Sequence, residues 1–143
     1  MIEGYYLSDR NEDIKIESVH RFLSKSYWSE GIPLETLIRA IKNSLCFGVF
    51  LNSGEQVAFA RLVTDHATFA YLCDVYVEKD HRGKGLSKWL MEFISEHGSL
   101  AGLRRTVLVT RDAHKLYAQY GFAGLKNPLG YMEKWNPNVY KNV

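Results

Sequence analysis

The chain has few cysteines, few prolines, no surplus of charge and no long apolar run, and each shortage narrows what it can be. Two cysteines in 143 residues cannot make a disulfide scaffold. Cys46 and Cys73 each fall in an apolar, strand-like stretch, where a buried free thiol in a reducing cytosol is favoured over a disulfide. That reading points to a cytoplasmic protein. The net charge of +2 is too small to imply a nucleic-acid or membrane partner. No stretch approaches the roughly 18 apolar residues of a membrane span, and no basic region followed by an apolar run opens the chain. The five histidines, at 20, 66, 81, 97 and 114, show no metal-ligand spacing, so no metal site is expected. Repeats and low-complexity tracts are absent. Asn127-Pro128 and Asn136-Pro137 punctuate turns and do not mark linkers, so residues 1–143 read as one domain.

The periodicities that are present alternate between two and 3.6. Tyr5-Tyr6-Leu7 reads as a short strand. Ile16, Val19, Phe22, Leu23 and Tyr27 share one helix face, which Trp28-Ser29-Glu30-Gly31 ends. Pro33 suits the first position of a second helix, whose apolar face is Leu34, Leu37, Ile38, Ile41 and Leu45. Residues 46–51 and 57–64 read as strands joined by the hairpin turn Asn52-Ser53-Gly54-Glu55, and 69–77 as a third. A helix is expected over 86–97 with Leu90, Phe93 and Ile94 inward and Lys88, Glu92 and Ser95 outward. A strand over 106–110, a helix over 112–120 capped by Asp112, and short strands at 122–124 and 131–135 complete the order β-α-α-β-β-β-α-β-α-β-β. That order is α/β with a mixed central sheet.

Between the strand at 69–77 and the helix after it lies Val75-Tyr76-Val77-Glu78-Lys79-Asp80-His81-Arg82-Gly83-Lys84-Gly85-Leu86-Ser87-Lys88. A charged, glycine-containing turn that opens into a helix is an anion site. The first helical amides lack intrahelical partners, and the macrodipole adds about half a positive charge. Gly83 and Gly85 permit positive φ and close approach, and phosphate is the usual guest. Two common phosphate motifs fail. No glycine stands five residues before Gly85, as a P-loop requires, and Lys88 occupies the last glycine of a dinucleotide fingerprint.

The pattern that survives, Arg82-x-x-Gly85-x-Ser87, resembles the pyrophosphate motif [QR]-x-x-G-x-[GA] of the GCN5-related N-acetyltransferase (GNAT) superfamily. Ser87 departs from it. Downstream, Ala113-x-x-Leu116-Tyr117-x-x-x-Gly121-Phe122 resembles the superfamily's second landmark, at the usual spacing and in the right order. Thr110 stands where many relatives carry an asparagine that bonds the pantetheine arm. The resemblance covers most of the chain. It implies a single-domain GNAT fold, a mixed sheet with splayed central strands flanked by helices, and acetyl-CoA as the acyl donor. Val75 and Val77 would then pair with the pantetheine arm. The amides of Arg82, Gly83, Lys84, Gly85, Leu86 and Ser87 would hold the pyrophosphate, with charge from Arg82, Lys84 and Lys88. Thr110 would face the arm.

The implied reaction moves an acyl group from sulfur to an amine. An alkylamine of pKa about 10.4 is neutral about once in 2,500 molecules at pH 7, a cost of roughly 4.6 kcal/mol that a base or a desolvated pocket must meet. An arylamine needs no such help. The resemblance makes Tyr117 the acid that serves the leaving thiolate and places an oxyanion-binding amide near Val75. The base is open between Asp74, Glu30 and a chain of water, and Asp74 has the alternative of an ion pair with Arg61. Tyr27, Trp28 and Glu30 either line the acceptor pocket, holding a cation by its charge and by ring faces, or pack a helix end. The acceptor expected is a small-molecule amine. A non-catalytic acyl-CoA-binding module and a protein or peptide N-acetyltransferase are the alternatives. Dimers are common in the superfamily, so a homodimer is possible on this resemblance, but nothing in the sequence selects one.

Overall fold

A computed structural model describes residues 1–141. One five-stranded sheet runs in the order of the chain. Strands β1 (Tyr5–Ser8), β2 (Leu45–Leu51), β3 (Gln56–Thr64) and β4 (Phe69–Val77) are antiparallel neighbours, and β5 (Arg105–Leu108) lies parallel to β4. A parallel pair cannot be closed by a hairpin. Helix α3 (Leu86–Ser95) makes the crossover from β4 to β5. Helices α1 (Ile16–Leu23) and α2 (Leu34–Lys42) fill the connection from β1 to β2, and α4 (His114–Ala118) follows β5.

The sheet is buried on both faces. On the side of α3, Phe47, Val49, Ala58, Leu62 and Leu72 meet Leu86, Leu90, Met91 and Ile94. On the side of α1 and α2, Phe50, Phe59 and Tyr76 meet Val19, Leu23, Leu37 and Ile41. Each large side chain taken fully inside contributes about 1.5–3 kcal/mol of apolar burial. In α1 and α2 the buried pairs Val19 with Leu23 and Leu37 with Ile41 sit four apart, as one face of a helix requires.

Several sequence expectations are corrected. Leu34 and Ile38 stay on the surface and Leu45 opens β2, so the buried stripe of α2 is narrower than its apolar pattern. Pro33 caps α2 from outside rather than starting it. In α3 the inward position next to Leu90 belongs to Met91. Phe93 falls on the rim, 38% exposed, with its ring edge-on to Phe47. Strand β5 stops at Leu108, two residues short of the expected end. Residues 122–124 and 131–135 form no strands. A single 3-10 turn, Pro128–Gly130, interrupts an otherwise irregular, exposed segment. Strand propensity expresses fit to a pleated, half-buried neighbour, and this segment finds none. Tyr131 instead lies 5.9 Å from the Arg105 guanidinium, and Tyr140 packs beside Gly31.

Helix α4 is shorter than expected at both ends. Asp112 does not cap it. The Thr110 hydroxyl accepts the Ala113 amide at 3.0 Å and turns the chain first. At the other end Phe122 N–H donates to the Tyr117 carbonyl and Gly121 N–H to that of Ala118. Gly121 has φ +89°, and the Tyr117 and Phe122 rings meet at 6.0 Å. This is a Schellman stop with its hydrophobic clasp, so the spacing from Tyr117 to Gly121-Phe122 is a helix-ending device. Gly121→Ala should therefore lower the unfolding free energy by about 1 kcal/mol, because an L side chain disfavours that φ. Gly124→Ala, which has open space and no positive φ, should leave it unchanged; urea titration of both variants compares them.

Candidate active site

The site begins with an irregularity in β4. Between the pairs Phe59↔Tyr76 and Arg61↔Cys73, β3 supplies one residue, Ala60, while β4 supplies two, Asp74 and Val75. This is a β-bulge, and its first residue, Asp74, has φ +55°. Few side chains tolerate that region, and aspartate is among the better ones. The carboxylate is fastened on both oxygens. Arg61 Nε donates to Oδ2 at 2.8 Å and Trp28 Nε1 donates to Oδ1 at 2.9 Å. Arg61 is tied in turn to the Ser44 hydroxyl at 3.1 Å. Burial is the largest single influence on the Arg61 pKa and pulls it down; the Asp74 charge, with Cys73, the Asp74 hydrogen bond and Cys46 added, together outweigh it and hold the guanidinium above its usual value. A buried charge needs such a partner, since removing one side of a buried pair costs about 3–5 kcal/mol.

The bulge lies where the sheet opens. Pairing of β4 with β5 runs from Phe69↔Arg105 to Leu72↔Leu108 and then ends. Beyond it the strands part around a cavity of about 480 Å³. One wall is the freed part of β4, with Asp74, Val75 and Val77; the other is Leu108, Val109 and Thr110, followed by Asp112 and Tyr117. Glu78 N–H donates to the Val57 carbonyl at 2.8 Å, so by antiparallel alternation the polar groups of Val77 face away from β3, into the gap. Its carbonyl there accepts Arg82 Nε at 2.9 Å.

A second cavity, about 240 Å³, is lined by Val77, His81, Arg82, Gly83, Gly85, Leu86 and Ser87. Val77 and Arg82 border both, so the two adjoin. Gly83 (φ +77°) and Gly85 (φ +83°) take the left-handed conformations that the turn needs. Gly85 caps α3 without a side chain, so the first amides of a ten-residue helix face the cavity region undressed. The turn is pinned to β1 by the Tyr5 hydroxyl, 2.8 Å from His81 Nδ1. Lys84 and Lys88 are exposed and line neither cavity.

Of the residues singled out in the sequence, Tyr27, Trp28, Asp74, Val75, Val77, Arg82, Thr110 and Tyr117 meet on the larger cavity, and Gly83, Gly85, Leu86 and Ser87 on the smaller. Glu30 does not join them; it is exposed and off the wall. The expected cation site on Tyr27 is already filled from within, because the Arg111 guanidinium lies 3.7 Å from the ring centroid. Sequence reading missed Arg111, Phe22, Tyr71 and Tyr76. The first carries no motif, and the last three sit in elements whose apolar pattern also serves the core. Phe22 and Tyr76 stack at 3.9 Å, and the buried Tyr76 hydroxyl has no hydrogen-bond partner among the described residues. Among those residues there is also no cluster of metal-binding side chains and no helix long and apolar enough to cross a membrane.

A mixed sheet in which β4 parts from the edge strand β5, and a glycine turn that opens a helix beside the gap, agree with the acetyltransferase fold that the sequence resembles. The family model for the acetyltransferase (GNAT) family matches residues 16–122, and the chain belongs to that family. A protein from Xanthomonas campestris pv. campestris, assigned as a GNAT acetyltransferase, superposes with a TM-score of 0.93 at 48% identity, over 98% of this chain and 99% of that one. A protein of Gibberella zeae assigned as an acetyltransferase is 28% identical, over 80% of this chain and 76% of its own length. At the level of fold alone, a protein from Clostridium acetobutylicum assigned as an acetyltransferase and solved with acetyl-CoA gives a TM-score of 0.66 at 17% identity, over 91% of this chain and 94% of that one.

The cysteines supply a check on the site's interior. Cys46, Arg61 and Cys73 stand in one row across β2, β3 and β4. Two strand spacings, about 10 Å, separate the thiols, beyond the roughly 7 Å limit of a disulfide. Both are free, and burial pushes each pKa up to about 12. At pH 8 about one thiol in 10,000 is then ionised, against about a quarter for an ordinary thiol. Native protein incubated with iodoacetamide at pH 8 should stay unmodified by intact mass, whereas urea-denatured protein should gain an adduct on each of Cys46 and Cys73.

Proposed function

We propose that the protein transfers the acetyl group of acetyl-CoA to the amine of a small acceptor. The observation that carries this reading is the junction of the two cavities at Val77 and Arg82. It offers a continuous seat for a pyrophosphate at the start of α3 and an extended thioester arm between β4 and β5. GNAT proteins generally draw on acetyl-CoA, and the Clostridium acetobutylicum fold relative holds it. The residues present suit such a guest. The preorganised amides of 83–87 would take the phosphates, with Arg82 beside them and Lys84 and Lys88 adding field from outside. The main chain of Val75 and Val77 would face the arm. Thr110 would do so from the other wall, its hydroxyl proton left to donate while the oxygen accepts the Ala113 amide. In this family the donor supplies an activated acetyl thioester.

Tyr117 stands half-buried on the cavity wall, and burial, with a smaller push from Tyr27, raises its pKa above the ordinary phenol value. Against a thiol of pKa about 8.5, full proton transfer from an ordinary phenol is already uphill by about 2 kcal/mol, and the raised pKa steepens it. Tyr117 therefore acts as a hydrogen-bond donor to the departing sulfur. Asp74 reaches the cavity with a bond already on each oxygen, which favours its part in holding the bulge over that of a free base. Water then removes the amine proton, and an amide near Val75, where the bulge has broken the ladder, meets the developing oxyanion. The free thiols suit the reducing cytoplasm. Leu129, Met132 and Trp135, 94%, 97% and 74% exposed, favour a homodimer that covers them.

The test is amide formation from acetyl-CoA across a panel of amines, followed by mass spectrometry. Tyr117→Phe should lower kcat by about tenfold or more, the size of a lost transition-state hydrogen bond to a charged group, with acetyl-CoA affinity by calorimetry unchanged. An unchanged kcat removes Tyr117 from this role. Tight acetyl-CoA binding with no amide from any amine would turn the reading to a non-catalytic acyl-CoA-binding module.

A further inference from the structure

Six aromatic side chains, Phe22, Tyr27, Trp28, Tyr71, Tyr76 and Tyr117, border the larger cavity. Its buried carboxylate, Asp74, is neutralised by Arg61 and has a hydrogen bond on each oxygen. The other carboxylate on the wall, Asp112, is exposed and adjoins Arg111 in the chain. The Arg111 guanidinium already covers the Tyr27 ring. An alkylammonium ion entering this space would lose its hydration, find the buried carboxylate taken, and meet a like charge on the aromatic face that would otherwise attract it. A flat, uncharged amine meets none of these costs and gains stacking area.

We propose that the acceptor is a weakly basic aromatic amine, uncharged at neutral pH, seated among these rings. This rests on the N-acetyl transfer reading above and specifies its acceptor. The nitrogen lone pair of the aromatic amine attacks the acetyl carbonyl carbon and a C–N bond forms. The C–S bond breaks, with its electron pair going to sulfur. One of the two nitrogen protons passes through water to that sulfur, which Tyr117 steadies by a hydrogen bond, so that an anilide and free thiol result. No base is needed before attack, because the nitrogen is neutral from the start.

The groups around the seat support a flat pH response. Arg61 stays charged, the Cys46 and Cys73 thiols are pushed up to about 12, and the hydroxyls of Tyr71, Tyr76 and Tyr117 are all pushed above their ordinary value by burial. None of these changes charge between pH 6 and pH 9.

The experiment compares two isomers, 4-ethylaniline and 4-methylbenzylamine, at saturating acetyl-CoA from pH 6 to pH 9, with the amide measured by mass spectrometry. At pH 7 the aniline should have a kcat/KM at least about tenfold higher, since almost all of the benzylamine is protonated there and its greater nucleophilicity offsets only part of that deficit. The aniline profile should be flat, whereas that of the benzylamine should rise about tenfold per pH unit. Tyr71→Ala should raise KM for the aniline about fivefold, the size of one lost aromatic contact, and leave acetyl-CoA affinity unchanged. A benzylamine that equals the aniline at pH 7, an aniline rate that climbs with pH, or an unmoved KM in Tyr71→Ala overturns the proposal. If a non-aromatic amine is acetylated and neither isomer is, N-acetyl transfer stands and the aromatic seat falls. If no amine yields amide although acetyl-CoA binds, both fall.

Discussion

The carboxylate of Asp74, gripped by Arg61 on one oxygen and by Trp28 on the other, is the interaction on which the rest of the site depends. It fastens a left-handed residue within β4, just past the last row at which that strand pairs with β5. A strained residue persists only where its surroundings over-determine it. Here the surroundings are a neighbouring strand, through Arg61, and the loop between the first two helices, through Trp28. One buried charge therefore joins three parts of the chain: the bulge that interrupts the ladder, the strand beside it, and the aromatic loop at the mouth of the cavity. A pair of this kind does little for net stability compared with apolar packing, but it sets geometry, because neither partner can leave without stranding the other.

The donor and acceptor sides are built from different material. The smaller cavity is largely backbone: two left-handed glycines, a helix start and the edge of a strand. The acceptor end of the larger one is side chains, mostly rings. This difference explains what the sequence reveals. A glycine turn at a helix start needs particular residues at particular spacings, so Arg82, Gly83, Gly85 and Ser87 can be read directly, as can the Tyr117 to Phe122 segment, which the fold shows to be a helix stop. The acceptor wall has no such grammar. Phe22 and Tyr76 read as core because they are core as well, stacked between α1 and β4. Arg111 is one arginine among many until the fold lays it on Tyr27.

The elements that were misread share a cause. Strand and helix patterns report which residues want burial and not whether a neighbour exists to bury them. Residues 131–135 carry the composition of a strand and find no ladder. Phe93 is apolar enough for the core but falls a few tens of degrees off the inward arc, which Met91 takes. The Asp74 bulge was illegible for another reason. An aspartate with positive φ looks in sequence like any polar residue on a strand, and its charge partner lies 13 positions away on the adjacent strand.

The bulge also acts as a parity switch. Before it, Ala70 and Leu72 point toward α3; after it, Val75 and Val77 do, while Tyr76 turns to α1 and α2. A regular strand would keep even-numbered residues on one face throughout. The extra residue therefore inverts the inside and outside of everything that follows. Straightening the strand with Asp74 still in it would carry Tyr76 into the α3 layer and expel the two valines from it. Deleting Asp74 would instead set Ala60 opposite Val75 and leave every later side chain on its present face, so the extra residue serves the site and the core could be assembled without it.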